Sequence, residues 1–424
     1  MTAGAVTTAT RIGRLEFPLL CMLLVVLPIL EAPKNLALAL FILTRLARAI
    51  AKRRFGFQRP EPVELAVLGL IVAAAASTFV NWPFANGDKG LKDVLSYSIV
   101  FLIVYRERYT HAQKYLLAVM AAAGVTVGLI WGVVEVMQGK RSMLELHSVG
   151  FVTHSSIYVG VVLVMAMGMA LFARDDLSAG DKVRRIHEGR YWWAIAALLM
   201  LGLFAMASRG GILATGIALL LALSLLKRRD LWIAVSLLVV LCVATVSMLP
   251  NVFDQRRIVS RVTQMTFQQE LPESDSIRVS IWRVAIAQLT QGNTLLFGVG
   301  PRNFSGIELG KLHFDEPLNL PGNRLTHAHN LFLNKLVEEG IFGLLAMLAF
   351  FIFPARALVR DWRADRWKNW LWLSGMGALA VPIVSGFFGT PWYNEHALLA
   401  MIILALYLSS RNPEDIVAPG AGNG

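Results

Sequence analysis

Residues 154–173 read HSSIYVGVVLVMAMGMALFA, an apolar run that contains no Asp, Glu, Lys or Arg. A helix of about 20 such residues crosses the hydrocarbon core of a bilayer. Comparable runs recur along the chain, because 56% of its residues are hydrophobic and only 16% are charged. With a mean hydropathy of +0.58, the sequence indicates an integral membrane protein rather than a soluble one.

The apolar runs predict an all-α fold, a bundle of about twelve transmembrane helices, because each run has the length of one span. A basic flank precedes the first run, but no small-residue cleavage site follows it, so this run is predicted to be a retained helix. The predicted spans are residues 15–32, 34–50, 61–80, 91–105, 112–138, 154–173, 191–207, 210–226, 231–249, 330–354, 368–388 and 392–409.

The positions of Lys and Arg predict the orientation of the bundle. With the N-terminus in the cytoplasm, most of them fall on the cytoplasmic side, including Lys52-Arg53-Arg54, Arg184-Arg185 and Lys227-Arg228-Arg229, as the positive-inside rule requires. Topology therefore accounts for the net charge of +12. No basic cluster interleaved with aromatic residues indicates nucleic-acid binding. Both termini are predicted to be cytoplasmic.

The spans divide the chain into four predicted regions. They are transmembrane helices one to nine at residues 1–249, one large extracytoplasmic loop at 250–329, helices ten to twelve at 330–409, and a cytoplasmic tail at 410–424.

The large loop carries the pattern of an amphipathic helix, predicted from Ser276 to Thr290. Such a helix would lie on the membrane surface or cap the bundle. Its apolar residues recur near helical spacing, at Ile277, Trp282, Ala285, Ile286 and Leu289.

Arg209 lies in the short turn between the seventh and eighth predicted spans, within Ser208-Arg209-Gly210-Gly211. A cation at the membrane interface requires a partner, and the glycines would let an oxyanion approach the start of the next helix. Two interpretations follow. Arg209 binds a phosphate-bearing ligand, or it extends to the phosphates of membrane lipids.

Arg278 and His329 are the other charged or titratable residues that point to chemistry. Arg278 could face the same anion as Arg209, and two guanidinium groups suit a diphosphate; alternatively it pairs with Asp275. His329 precedes the tenth span, where a neutral imidazole could accept a proton from a hydroxyl; alternatively it caps the helix.

The sequence predicts neither a metal nor a cofactor. Cys21 and Cys242 lie in apolar runs, and His327, two residues before His329, is expected to point elsewhere, with no acidic third ligand nearby. Other outer polar residues, among them His154 and the pair Glu395-His396, are interpreted as helix ends or loop residues.

Several of these motifs, between about residues 208 and 343, together resemble the superfamily of O-antigen ligases (WaaL) and O-antigen polymerases. Their order and their common extracytoplasmic location carry the resemblance. They are Ser208-Arg209-Gly210, Asp275-Ser276-Ile277-Arg278 with Trp282-Arg283, Gly298-Val299-Gly300-Pro301-Arg302-Asn303-Phe304, His327-Ala328-His329-Asn330-Leu331-Phe332-Leu333, and Glu338-Glu339-Gly340-Ile341-Phe342-Gly343.

The resemblance implies an O-antigen ligase of the bacterial inner membrane. Such an enzyme transfers O-antigen polysaccharide from undecaprenyl diphosphate to the lipid A-core oligosaccharide at the periplasmic face, by inverting and metal-independent transfer, among membrane lipids. By this resemblance Arg209 and Arg278 would bind the diphosphate and His329 would act as base or orient the acceptor. Further binding residues would be Ser208, Gly210, Arg302, His327 and Asn330.

Three other functions remain open at the level of sequence. Two belong to the same superfamily, an O-antigen polymerase and a protein O-oligosaccharyltransferase; the single large loop favours the ligase. The third is a flippase or secondary transporter, for which ionisable groups near the bilayer midplane and inverted repeats would be expected. Neither feature is visible in the sequence.

Overall fold

The structure is a computed structural model that describes residues 3–51, 59–83, 86–172, 182–226, 273–320 and 325–411, together with Trp232 and Ser236. The predicted ninth span at 231–249 and the tail beyond residue 411 therefore lie outside the described residues, apart from those two positions.

The described residues fold into α-helices, with a longer connection between Phe297 and Leu331 that contains only 3-10 turns, which confirms the predicted all-α fold class. In chain order the helices are α1 (Ala3–Val26), α2 (Glu31–Ala51), α3 (Pro62–Val80), α4 (Gly87–Arg106), α5 (His111–Met137), α6 (Val152–Phe172), α7 (Lys182–Ala205), α8 (Arg209–Leu226), α9 (Glu273–Leu289), α10 (Thr294–Phe297), α11 (Leu331–Arg363), α12 (Trp370–Ser385) and α13 (Asn394–Ser409).

Four of these helices, α3, α5, α6 and α11, are long and apolar enough to cross a membrane. Four shorter apolar stretches, in α7, α8, α12 and α13, accompany them. The protein is thus a multi-pass helical membrane protein. The number of twelve spans stays a prediction.

Helix α6, which contains most of the run quoted above, is the centre of the bundle. Its side chains are almost entirely buried, and it packs against α7, α8 and α12. Small residues allow this close approach. A side chain at Gly160 would collide with Thr215 of α8, and one at Gly377 of α12 would collide with Val164.

A second, smaller apolar cluster fastens the extramembrane segment to the start of α11. It contains Ile281 and Val284 of α9, Phe304 of the following loop, and Ala328 and Val337 around the start of α11. Burying these side chains holds α9 and the loop against the bundle.

The predicted amphipathic helix is confirmed, but its start and its apolar face differ from the prediction. It begins at Glu273, three residues before the expected Ser276. Ile281 and Val284 are buried with Ala285, whereas Ile286 is 59% exposed. The sequence pattern was ambiguous because the helix has apolar residues on more than one side.

Helix α11 is interrupted at Gly340, where φ is 70° and ψ is −171°. The predicted single span at 330–354 is therefore two helical pieces in the structure. The carbonyls of Val337 and Glu338, which lose helical partners at the break, accept hydrogen bonds from the amides of Val299 (2.8 Å) and Gly300 (2.9 Å). The break thus joins α11 to the loop that follows α10.

We predict that Gly340→Ala destabilises the protein. This conformation is almost exclusive to glycine and costs other residues about 1 to 3 kcal/mol, and an added Cβ would lie 2.6 Å from the amide nitrogen of Phe297. The midpoint of thermal unfolding in detergent should fall. Gly216→Ala is the matched control, because a Cβ at Gly216 meets nothing within 4 Å. Equal midpoints for the two variants would contradict the prediction.

Candidate active site

Four helices begin at the same end of the bundle and meet there. The start of α8 lies against α6, because a side chain at Gly211 would collide with Ser156. The amide of Leu331, the first residue of α11, donates to the carbonyl of Gly386 at 2.7 Å. The segment that begins at Gly386 leads into α13. Helix N-termini carry partial positive charge, so this end of the bundle favours anions.

Four histidines from three parts of the chain gather at this end. The ring centroids of His327 and His329 are 4.1 Å apart, and those of His154 and His396 are 4.8 Å apart. His154 also acts electrostatically on His327 and His329, so the two pairs adjoin each other. The structure therefore brings half of the 8 histidines of the chain into one cluster.

The proximity of His327 to His329 contradicts the expectation that His327 points elsewhere. That expectation assumed a helix, whereas residues 325–328 have no regular secondary structure and α11 begins only at Leu331. His329 itself has φ of 50°. The left-handed backbone turns the two rings toward each other.

Burial is the main reason that both imidazoles are hard to protonate. It lowers the pKa of His329 to about 4 and that of His327 to about 3. The charge of Arg278 lowers both pKa values further, which also places Arg278 of α9 beside the histidines. At neutral pH both rings are therefore neutral and able to accept a proton or a hydrogen bond.

Arg209 is the first residue of α8 and lies at the same end of the bundle. A Cβ at the adjacent Gly210 would lie 3.8 Å from the Cβ of Phe388. The neighbouring Phe387 carbonyl accepts a hydrogen bond from the side chain of Asn330 at 3.5 Å. Gly210, next to Arg209, and Asn330, next to His329, thus both lie close to the segment 387–388.

Two of the predicted binding residues cap helices. The hydroxyl of Ser208 accepts from the amide of Gly211 at 3.4 Å, and the side-chain oxygen of Asn330 accepts from the amide of Leu333 at 3.0 Å. These bonds fix the starts of α8 and α11. They leave the ligand-binding role predicted for Ser208 and Asn330 as a prediction.

Arg302 forms an ion pair with Asp93 of α4 at 3.1 Å. Its guanidinium also lies 5.9 Å from the ring centroid of Tyr393. Asp93 thus holds the arginine of the Gly-Pro-Arg-Asn segment. The ion pair neutralises much of the charge that Arg302 could offer to a ligand.

His154 and His396, interpreted from sequence as helix-end or loop residues, lie in the histidine cluster. Each follows a short loop and lies in the first turn of an apolar helix, α6 or α13. A titratable residue at that position was the available signal. The packing that brings these two helix starts together is not visible in the sequence.

Among the described residues, no group of three or more His, Cys, Asp or Glu is arranged to hold a metal ion. The cluster presents the neutral imidazoles of His327 and His329 beside the guanidinium group of Arg278, at the mouth of the helical bundle. This arrangement can bind an anion and remove a proton from a nearby hydroxyl. The class defined by fold and site is a multi-pass membrane protein with histidine and arginine side chains gathered at one end of its bundle.

Comparison with known families agrees with this class. A family model described as O-antigen ligase matches residues 194–348. This segment contains Arg209, Arg278 and both histidines of the 327–329 loop. This part of the chain is therefore similar to the O-antigen ligase family. No curated protein matches the chain.

We predict that acid destabilises the protein through His327 and His329. Both have folded-state pKa values below the ordinary 6.5, so the unfolded chain binds more protons. The stability they contribute is complete above pH 6.5 and is lost as pH falls toward 4 and 3. The thermal midpoint should drop between pH 7.5 and 5, and less so in the variant His327→Gln/His329→Gln.

The control for this titration is His313→Gln, because His313 is exposed on the same extramembrane segment. Its pH dependence should match that of the wild type. An unchanged pH dependence in the His327→Gln/His329→Gln variant would show that the two rings are not buried in neutral form.

Proposed function

We propose that the protein is an O-antigen ligase. It transfers O-antigen polysaccharide from undecaprenyl diphosphate to the lipid A-core oligosaccharide at the periplasmic face of the bacterial inner membrane. The observation that carries the proposal is the placement of Arg278, His327 and His329 together, at the end of the bundle where Arg209 begins α8. All four residues lie within the segment matched by the family.

Electrostatics supports a diphosphate leaving group at this end. Two arginines and the N-termini of four helices supply positive charge at the level where a membrane-embedded polyprenyl chain would present its diphosphate. Charge that develops on the departing diphosphate in the transition state is then stabilised by groups already in place. In this proposal that stabilisation replaces a metal ion.

The chemical step is a displacement at the anomeric carbon of the donor sugar. The acceptor hydroxyl oxygen forms a bond to that carbon while the bond from the carbon to the phosphate oxygen breaks, and undecaprenyl diphosphate departs with the electron pair. The hydroxyl proton passes to His329. Attack from the face opposite the leaving group inverts the anomeric centre.

The low pKa of His329 is compatible with this role once the donor is bound. A neutral imidazole is required to accept the proton, and burial beside Arg278 maintains that form. The bound diphosphate brings negative charge close to the ring, which raises its proton affinity. His329 thus becomes a better base when the donor is present.

The proposed orientation places both termini in the cytoplasm and the histidine cluster in the periplasm. It is supported by the distribution of Lys and Arg and by the large extramembrane segment. The helices α6, α8, α11 and α13 all begin at the histidine end, as alternate spans of one bundle would.

The test is deletion of the gene in its host, followed by electrophoresis of the extracted lipopolysaccharide. Complementation uses the wild type and His329→Ala. Loss of the whole ladder, with polymer retained on undecaprenyl diphosphate, would support the ligase. A core with a single repeat unit would instead indicate a polymerase. An unchanged ladder would overturn the proposal in favour of protein glycosylation or transport.

We predict that Arg209→Ala and Arg278→Ala each lower transfer by on the order of a hundredfold or more, because each removes a group that stabilises transition-state charge. Initial rates are measured with the purified protein, donor lipid and acceptor in EDTA. The matched control is Arg283→Ala. Arg283 lies on α9 with Arg278 but pairs with the exposed Glu316.

Full activity of either alanine variant at normal membrane abundance would refute the diphosphate role. Activity of the wild type that appears only when a divalent ion is restored would refute the metal-independent mechanism.

A further inference from the structure

The peptide groups of Ala328, between the two histidines of the cluster, are held from two sides. The indole N–H of Trp282 donates to the Ala328 carbonyl at 2.8 Å, and the Ala328 amide donates to the side-chain oxygen of Asn334, also at 2.8 Å. Trp282 belongs to α9 and Asn334 to α11. Ala328 has no exposed surface, so water does not replace either bond when it is lost.

This double attachment determines the backbone of His329. Its φ of 50° lies in the left-handed region, which residues with a Cβ rarely adopt. Such a conformation persists only where surrounding contacts enforce it. The bonds to Ala328 supply that enforcement. The bond from Trp282 fixes the peptide group directly before His329, and the bond to Asn334 fixes the peptide group before that one, between His327 and Ala328.

Asn334 is itself held by a chain of hydrogen bonds that ends at a buried carboxylate. Its side-chain NH₂ donates to the hydroxyl of Tyr393 at 2.5 Å, and that hydroxyl donates to Glu338 at 2.5 Å. Glu338 also accepts from the backbone amide of Arg302 and is only 3% exposed.

The hydrogen bonds of this series all run in one direction, from Ala328 toward Glu338. A backbone N–H only donates, so the side-chain oxygen of Asn334 faces Ala328 and its NH₂ donates to the Tyr393 hydroxyl. That hydroxyl then has its proton free to donate to Glu338. Tyr393 and Glu338 thereby stabilise the amide orientation of Asn334.

We propose that Trp282, Asn334 and Tyr393 are positioning residues that hold the imidazole of His329 toward the acceptor hydroxyl. This inference rests on the proposed function. None of the three residues needs to touch the substrate. Each acts through the peptide groups of Ala328. Trp282 does so from the extramembrane helix, and Tyr393 does so from the bundle, through Asn334.

The experiment measures kcat and KM for Tyr393→Phe, Trp282→Phe and Asn334→Ala. Misplacing a catalytic group by about an ångström costs on the order of a hundredfold in rate, so kcat should fall by about ten- to a hundredfold. The KM for the donor lipid should stay unchanged, because Arg209 and Arg278 are intact. The double variant Asn334→Ala/Tyr393→Phe should be no slower than Asn334→Ala, because both act through one chain.

Two matched controls lose the same kinds of bond elsewhere. Tyr407→Phe removes a hydroxyl that donates to Asp361 at 2.7 Å, near the other end of α13. Trp372→Phe removes an indole N–H that donates to the carbonyl of Leu358 at 3.0 Å. Both controls should keep the wild-type kcat at equal membrane abundance. A fall in kcat that the controls share, or no fall in Tyr393→Phe and Trp282→Phe, would overturn the proposal.

A second readout does not depend on transfer activity. The rate at which diethyl pyrocarbonate modifies His329, mapped by mass spectrometry, should rise in Tyr393→Phe and Trp282→Phe and not in the controls. An unchanged rate would overturn the positioning role. If the wild type transfers no polysaccharide but these rates shift as expected, the proposed function fails while the positioning of His329 stands.

Discussion

The extramembrane segment depends on the break in α11 at Gly340. A helix that stops inside a bundle leaves carbonyl groups without partners, and in a nonpolar environment each such group must find another donor. Here the amides of Val299 and Gly300 supply donors, and the hydroxyl of Ser77 adds a further bond to the carbonyl of Glu338 at 2.7 Å. This joint fixes the loop after α10 on the bundle and gives α9 a surface to pack against.

With the extramembrane segment in place, two parts of the protein form the site. The bundle contributes helix N-termini and the two inner histidines, His154 and His396. The extramembrane segment contributes Arg278 and the loop that carries His327 and His329. Positive charge and neutral imidazoles therefore meet in one place. Ala328, between His327 and His329, belongs to the apolar cluster that packs α9 against α11.

Much of the fold could be predicted because lipid imposes a length and a composition on every span. The run in α6 and the start of the amphipathic α9 are examples, within a few residues. Arg209, Arg278 and His329 could also be selected, since each is charged or titratable where apolar or turn residues prevail. The break at Gly340 could not be predicted from the sequence. Its cause is a loop about forty residues earlier in the chain, and the amides of that loop replace the helical donors.

The histidine cluster shows where reasoning from sequence stopped. His327 was placed wrongly because a helix was assumed where the backbone of His329 is left-handed. His154 and His396 lie far apart in the chain, and only the packing of α6 against α8 and α13 brings them together. The bonds of Tyr393 to Asn334 and Glu338 join residues 59 and 55 positions apart. In the sequence, therefore, neither Asn334 nor Tyr393 differs from an ordinary polar residue near a helix start.

The two bonds to Ala328 give the site a property beyond geometry. One comes from the extramembrane helix and the other from the bundle, so His329 adopts its described conformation only when both are in place. The alignment of His329 therefore requires two separate docking events, one by the extramembrane helix and one by the bundle. Before α9 docks, the carbonyl of Ala328 lacks its bond to Trp282, so in the proposed mechanism His329 would not yet be aligned as a base.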